Sequence, residues 1–142
     1  MGMVSLDNLG AWLLKANGNT SDIAEVAARR EPIPHWCVQP SYRTDLMAAG
    51  QPLLFWVSGR RHPGVWATGE LTGPASWDLV PHQRKLRVPL RLRWLDEHHR
   101  IPRPALLADP ELAALEVLRQ PQAANPSFVT KSQLAAVQQR HS

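Results

Sequence analysis

Apolar and polar positions alternate most regularly between Lys85 and Leu95. Leu86, Val88, Leu90, Leu92 and Trp94 share one face, and Arg87, Pro89, Arg91 and Arg93 share the other. A period of two predicts a β-strand with a dry side and a basic side. Pro89 assigns that strand to a sheet edge or a bulge, because proline has no N–H for a ladder. Leu53 to Val57 is different, being apolar at every position. Such a run predicts a central strand buried on both faces. A short loop with two glycines, a proline and two arginines joins it to a second run. There Val65, Ala67, Gly69 and Leu71 alternate with Trp66, Thr68 and Glu70, so the pair reads as a β-hairpin. Gly69 inside a strand marks a bend or a close backbone approach, which suits a curved sheet.

The remaining elements are short. Ala11–Ala16 predicts a first strand, stopped by the turn Asn17-Gly18-Asn19. Thr20, Ser21 or Asp22 caps a small helix that turns Ile23, Val26 and Ala27 inward and has Arg29 and Arg30 at its C-terminal end. His35–Gln39 is a second strand, and Tyr42–Ala49 a short helix stopped by Gly50. Trp77 follows the loop Gly73–Ser76, and Ile101–Leu107 is expected to be an extended, proline-broken connection. Asp109-Pro110-Glu111 opens a helix with a stripe of Leu112, Leu115 and Leu118. Thr130-Lys131-Ser132-Gln133 fits a capping box, with Val129 and Leu134 as its hydrophobic staple, and opens a last helix running to about Gln139. The expected fold class is α+β: five to six short strands in a curved or closed β-barrel with small flanking helices. Residues 1–142 are expected to form a single domain, with 1–10 as an N-terminal extension.

Composition narrows this further. A chain of 142 residues that is 44% hydrophobic can bury one core, and its 13 prolines favour short elements over a long helical bundle. The formal charge of +4 makes this a basic protein, compatible with a polyanionic partner. Cys37 is the one cysteine, so no internal disulfide forms. No apolar run approaches the roughly 20 residues that span a bilayer, so no membrane partner and a cytoplasmic location are expected. Six tryptophans stand against two phenylalanines and one tyrosine. Indoles fill cores, and they also make walls for flat ligands.

Several stretches together resemble the EVE domain family. Trp-Leu-Leu-Lys-Ala-Asn at 12–17 resembles the opening strand of that family, and His-Trp-Cys-Val at 35–38 its second strand. Residues 48–59 and 64–71 are similar to its glycine turn, central strand and returning strand, and residues 126–134 to its closing strand and capped helix. The resemblance extends over roughly residues 11–139. It implies a PUA-like fold, related to the YTH domain, and a pocket that holds a flipped, often modified nucleobase between aromatic walls. By position, Trp36 and Trp77 would be walls, Asn17 and Ser58 would meet the base edge, and Trp56 is a competing wall. The family often has a serine and a proline near the end of its first strand, where this chain has Ala16 and Gly18.

The implied function is a non-catalytic module that binds DNA or RNA carrying a modified base and works with a separately encoded effector enzyme. Base–aromatic stacking contributes about 1–3 kcal/mol per base, enough to offset extrusion from a stack. Arg60 and Arg61 at the hairpin tip, with Arg84, Lys85, Arg87, Arg91 and Arg93, are the candidates for phosphate contact. No cofactor is implied. Asp96-Glu97-His98-His99 is the one metal-like run, and its sequential ligands read better as a charged turn. Two alternatives stay open. One is a small hydrolase or nuclease of the ASCH type using Lys15, Glu70 and Asp78. The other is a regulatory protein-interaction domain with an exposed apolar patch.

Overall fold

The computed structural model describes residues 3–59, 61–78 and 84–140. The central strand is β3 (Pro52–Ser58), whose residues 53–57 are all buried. It lies between β1 (Leu9–Asn17), which runs parallel to it, and β4 (Gly64–Leu71), which runs antiparallel. β8 (Ser127–Thr130) extends the sheet beyond β1. β6 (Leu86–Trp94) pairs with β4, and β2 (His35–Cys37) pairs with β6. The order is therefore β2-β6-β4-β3-β1-β8. Two-residue strands, β5 (Ser76–Trp77) and β7 (Ile101–Pro102), pair with β6 and β4. The fold is α+β: a mixed, curled half-barrel sheet with few small helices. No helix among the described residues is long and apolar enough to cross a membrane.

Both faces of β3 are buried because each serves a different core. Leu53, Phe55 and Val57 join Trp12 and Leu14 of β1 and Leu86, Val88 and Leu90 of β6 inside the curl. Helix α1 (Ile23–Ala28) adds Ile23 and Ala27 to that core. Leu54 and Trp56 face the other way, with Leu13, Val65 and Val129. That outer side is covered by α2 (Arg103–Ala108), α3 (Glu116–Arg119) and α4 (Lys131–Gln139). Val4 also packs into the inner core, five residues before β1 begins.

The alternation expected along β4 is broken. The register with β3 shifts between Phe55 and Trp56, so Val65 packs on the outer core while the adjacent Trp66 and Ala67 both reach the inner one. An extra residue at a bulge turns the side chains that follow to the opposite face. Gly69 marks a close approach as expected: a Cβ there would lie 2.0 Å from the Arg91 carbonyl oxygen. Pro89 lies between the part of β6 paired with β5 and the part paired with β4, and its carbonyl accepts the Thr72 N–H at 3.0 Å.

Three helical expectations change. Tyr42–Ala49 contains only one 3-10 turn, Thr44–Leu46. Ile101–Leu107 is not wholly extended, since α2 begins at Arg103. The helix after Asp109 is a 3-10 turn, Leu112–Ala114, followed by α3, because Leu115 adopts an extended backbone with ψ 137° between them. That break lets Leu112, Leu115 and Val117 all be buried.

Candidate functional site

The N-terminal half of β6 is flanked by β2 on one side and β5 on the other. Trp36 lies opposite Val88, and Trp77 opposite Leu86. Directly paired residues share a face, as do residues two apart on one strand. Both indoles therefore belong to one face of the sheet, two strand spacings apart, or about 9.6 Å between backbones. A cleft of about 420 Å³ opens beside Trp77, bordered by Cys37, Gln39, Arg84, Leu86 and Asn125, and Trp36 is not among the residues that line it.

The two indoles are held differently. Trp77 is 45% exposed, with the Arg84 guanidinium 5.4 Å from its ring centre. Trp36 is half-buried and meets Phe55 edge-on, with ring centres 5.1 Å apart. Its indole donates to the Lys15 carbonyl at 3.1 Å. The ring of Trp36 is thus anchored in the inner core beside the cleft, and Trp77 is the open platform.

A polar knot closes the back of the cleft. The Asn125 amide accepts the Lys15 N–H at 2.8 Å and donates to the Lys15 carbonyl at 3.1 Å. The Gln39 N–H donates to the Asn125 carbonyl at 2.8 Å. The Lys15 ammonium donates to the carbonyls of Pro121, at 3.0 Å, and Ala123. Burial pulls its pKa below the ordinary lysine range, and the nearby Glu116 carboxylate opposes that shift. Behind the knot, Arg43 forms a two-pronged ion pair with Glu116, at 2.6 and 2.8 Å, and donates to the Pro126 carbonyl at 3.1 Å. The Asn125–Pro126 peptide is cis.

Asn17 and Ser58 pair with each other at the ends of β1 and β3, and neither borders this cleft. Asn17 accepts the Asn19 N–H at 2.9 Å, as a turn former does, and the Ser58 hydroxyl donates to the Ala16 carbonyl at 3.2 Å. Trp56 is 4% exposed and packed under the helices, so it offers no open face and is corrected here to a core residue. It shares the register position of Lys15 on the outer side of the sheet, whereas Trp36 faces inward.

The basic residues separate into groups. Arg84 and Lys85 border the cleft. Arg87 stands beside it, 3.4 Å from Asp78 and 3.3 Å from His35. Arg91 and Arg93 share one acid, Glu70, at 3.4 and 2.8 Å. Arg61 lines a different cleft, beside Trp66 and Arg100, and Arg60 lies outside the described residues. The three residues of the hydrolase alternative are dispersed: Lys15 is held by carbonyls, Glu70 by arginines and Asp78 by Arg87. Asp96, His98 and His99 place ligand atoms within 4.8 Å of one another, but all three are exposed and Asp96 is engaged by Arg30.

Sequence reasoning missed Asn125, Gln39 and the carbonyl cage around Lys15. The Asn125-Pro126 dipeptide is a turn signal, so an ordered loop there was readable. Its docking against β1, 110 residues away, was not.

No family model matches the chain, and no curated protein matches it. Solved structures do share its fold. A hypothetical protein from Leishmania major superposes with a TM-score of 0.67 at 19% identity, covering 95% of this chain and 96% of that one. A Pseudomonas syringae protein gives 0.69 at 17% identity, covering 91% and 97%. Human THYN1, solved in complex with DNA containing 5-methylcytosine, gives 0.60 at 13% identity, covering 93% and 98%.

Proposed function

We propose that this chain is a non-catalytic nucleic-acid-binding module that holds a flipped, modified nucleobase against Trp77, with Trp36 as the second wall. The observation that carries the reading is Trp77 itself, a large indole left 45% exposed on the same sheet face as Trp36 and topped by Arg84. An exposed tryptophan beside a concave, partly apolar cleft stacks well on a planar base, and cations at the mouth serve the phosphates. Leu86 forms the floor, Gln39 supplies the amide for the base edge, and Arg84, Lys85 and Arg87 serve the backbone. Asn17 and Ser58 are assigned to holding the strand ends. The shared fold with THYN1, whose solved complex contains 5-methylcytosine DNA, supports a modified base as the ligand class. Such a reader acts together with a separately encoded effector enzyme.

The test compares the affinities of modified and unmodified oligonucleotides for the wild type, Trp77→Ala and Trp36→Ala. Trp77→Ala is expected to lose about 1–3 kcal/mol of binding, the contribution of one stacked base. Replacing Arg84 and Lys85 by alanine should flatten the salt dependence by about 0.7–0.9 per lost phosphate contact. Identical affinity of all proteins for both oligonucleotides would remove the base pocket.

A further inference from the structure

Among the described residues, two non-glycine positions have left-handed backbone: Arg30 with φ 52° and His62 with φ 49°. They are distant in sequence, yet both line one cleft of about 670 Å³. This conformation costs an ordinary residue about 1–2 kcal/mol and persists where surrounding bonds over-determine it. Those bonds are visible here. The His62 carbonyl accepts the Trp66 indole N–H at 2.9 Å, which fixes the ring. Arg30 donates to the Trp94 carbonyl at 3.0 Å and pairs with Asp96.

On the fixed indole lies Arg100, its guanidinium 3.9 Å from the ring centre. Its Nε is buried without a hydrogen-bond partner, and no carboxylate among the described residues lies within ion-pair distance of it. Burial lowers its pKa, with Glu97 opposing that shift and Arg30 adding to it. Arg61, exposed at the same cleft, also has no ion pair among the described residues. Of the two acids lining the cleft, Asp96 is engaged by Arg30, and Glu97 is exposed. A half-buried guanidinium with a buried, unpartnered Nε and no ion pair among the described residues favours an anion that brings several acceptor oxygens. A phosphate monoester offers three oxygens and close to two negative charges, matching Arg100 and Arg61.

We propose that this cleft is an anion site for a phosphate monoester, separate from the pocket at Trp77. Arg100 is its fixed donor, stacked on Trp66, and Arg61 is its exposed one at the rim. The same chemistry has two sources, a free mononucleotide or the 5′-phosphate at the end of a nucleic-acid strand.

Calorimetric titration of the full chain tests it with four probes: inorganic phosphate, a nucleoside 5′-monophosphate, and one oligonucleotide with and without a 5′-phosphate. The expected result is saturable binding of at least one phosphate probe, weakened tenfold or more by Arg61→Gln and by Arg100→Gln. Trp77→Ala should leave the binding of inorganic phosphate, and the gain from the 5′-phosphate on the oligonucleotide, unchanged, which keeps this site distinct from the base pocket. Stronger binding of the mononucleotide names the free ligand, and a tenfold gain from the 5′-phosphate on the oligonucleotide names the strand end. Arg61 is exposed, so Arg61→Gln reads the site without disturbing the core. The proposal is overturned if no phosphate probe saturates, or if Arg61→Gln binds like the wild type.

Discussion

Glu116 is 5% exposed, yet it is an acid. Its oxygens accept both Arg43 bonds and the Phe128 N–H at 3.2 Å, so one carboxylate ties residue 43, α3 and β8 together. Removing one partner of a buried ion pair strands the other charge. Glu116→Gln is expected to lower stability by about 3–5 kcal/mol in urea unfolding, with much of the loss restored in the Arg43→Met/Glu116→Leu double variant. Glu70 makes a different prediction. A hydrogen bond from Arg93 leads the causes that hold its pKa below the ordinary glutamate value, with the charges of Arg93 and Arg91 adding to it. A lowered folded-state pKa means stabilisation that is complete above the ordinary value, about 4.3, and disappears as pH falls through the lowered one. Glu70→Gln should therefore unfold more easily than the wild type near neutral pH, and the gap should close in acid. The difference should be small, because this pair sits at the solvent-facing surface.

At the scale of elements, the hairpin of β3 and β4 carries most of the geometry. Gly69 lets β4 and β6 approach until a Cβ would sit 2.0 Å from the Arg91 oxygen. Gly69→Ala must part those strands, and overpacking of this kind costs about 1–3 kcal/mol. Amide exchange should show the loss first at the Ala67–Leu71 and Leu90–Trp94 ladder. Legibility varied between elements for physical reasons. The last helix was readable to its cap, because a capping box is local: Thr130 and Gln133 exchange side-chain and backbone bonds three residues apart. The long period-two strand was readable because its dry face meets one continuous core. The helix expected over 42–49 and the unbroken helix after Asp109 were not found, because burial of Thr44 and of the Leu112–Val117 leucines is set by packing that no short window contains.

At the scale of the molecule, the two cores meet at β3, and Phe55 is where the inner core touches Trp36. Its ring is fully buried, between Trp36 at 5.1 Å and Trp94 at 5.7 Å. Phe55→Ala should cost about 3–5 kcal/mol of stability. It should also loosen Trp36, and tryptophan fluorescence would report a red shift before global unfolding. Trp77→Ala should leave stability within about 0.5 kcal/mol of the wild type, since an exposed side chain adds little to folding. That contrast separates an indole that belongs to the core from one that is open to solvent and proposed to face the ligand.

The amino-acid pattern alone determined the central strand, its hairpin partner, the basic face of β6 and the capped final helix, because each depends on neighbours within a few residues. It also picked out the tryptophans without deciding between them. Six indoles with similar local surroundings were assigned opposite roles by tertiary structure: Trp56 lies sealed beneath helices, and Trp77 lies open over a cleft. The same holds for the arginines. Arg91 and Arg93 meet Glu70 across strands, while Arg100 comes to rest on Trp66 with no ion pair among the described residues. Burial and charge pairing depend on contacts between distant segments, and those exist only once the sheet has curled.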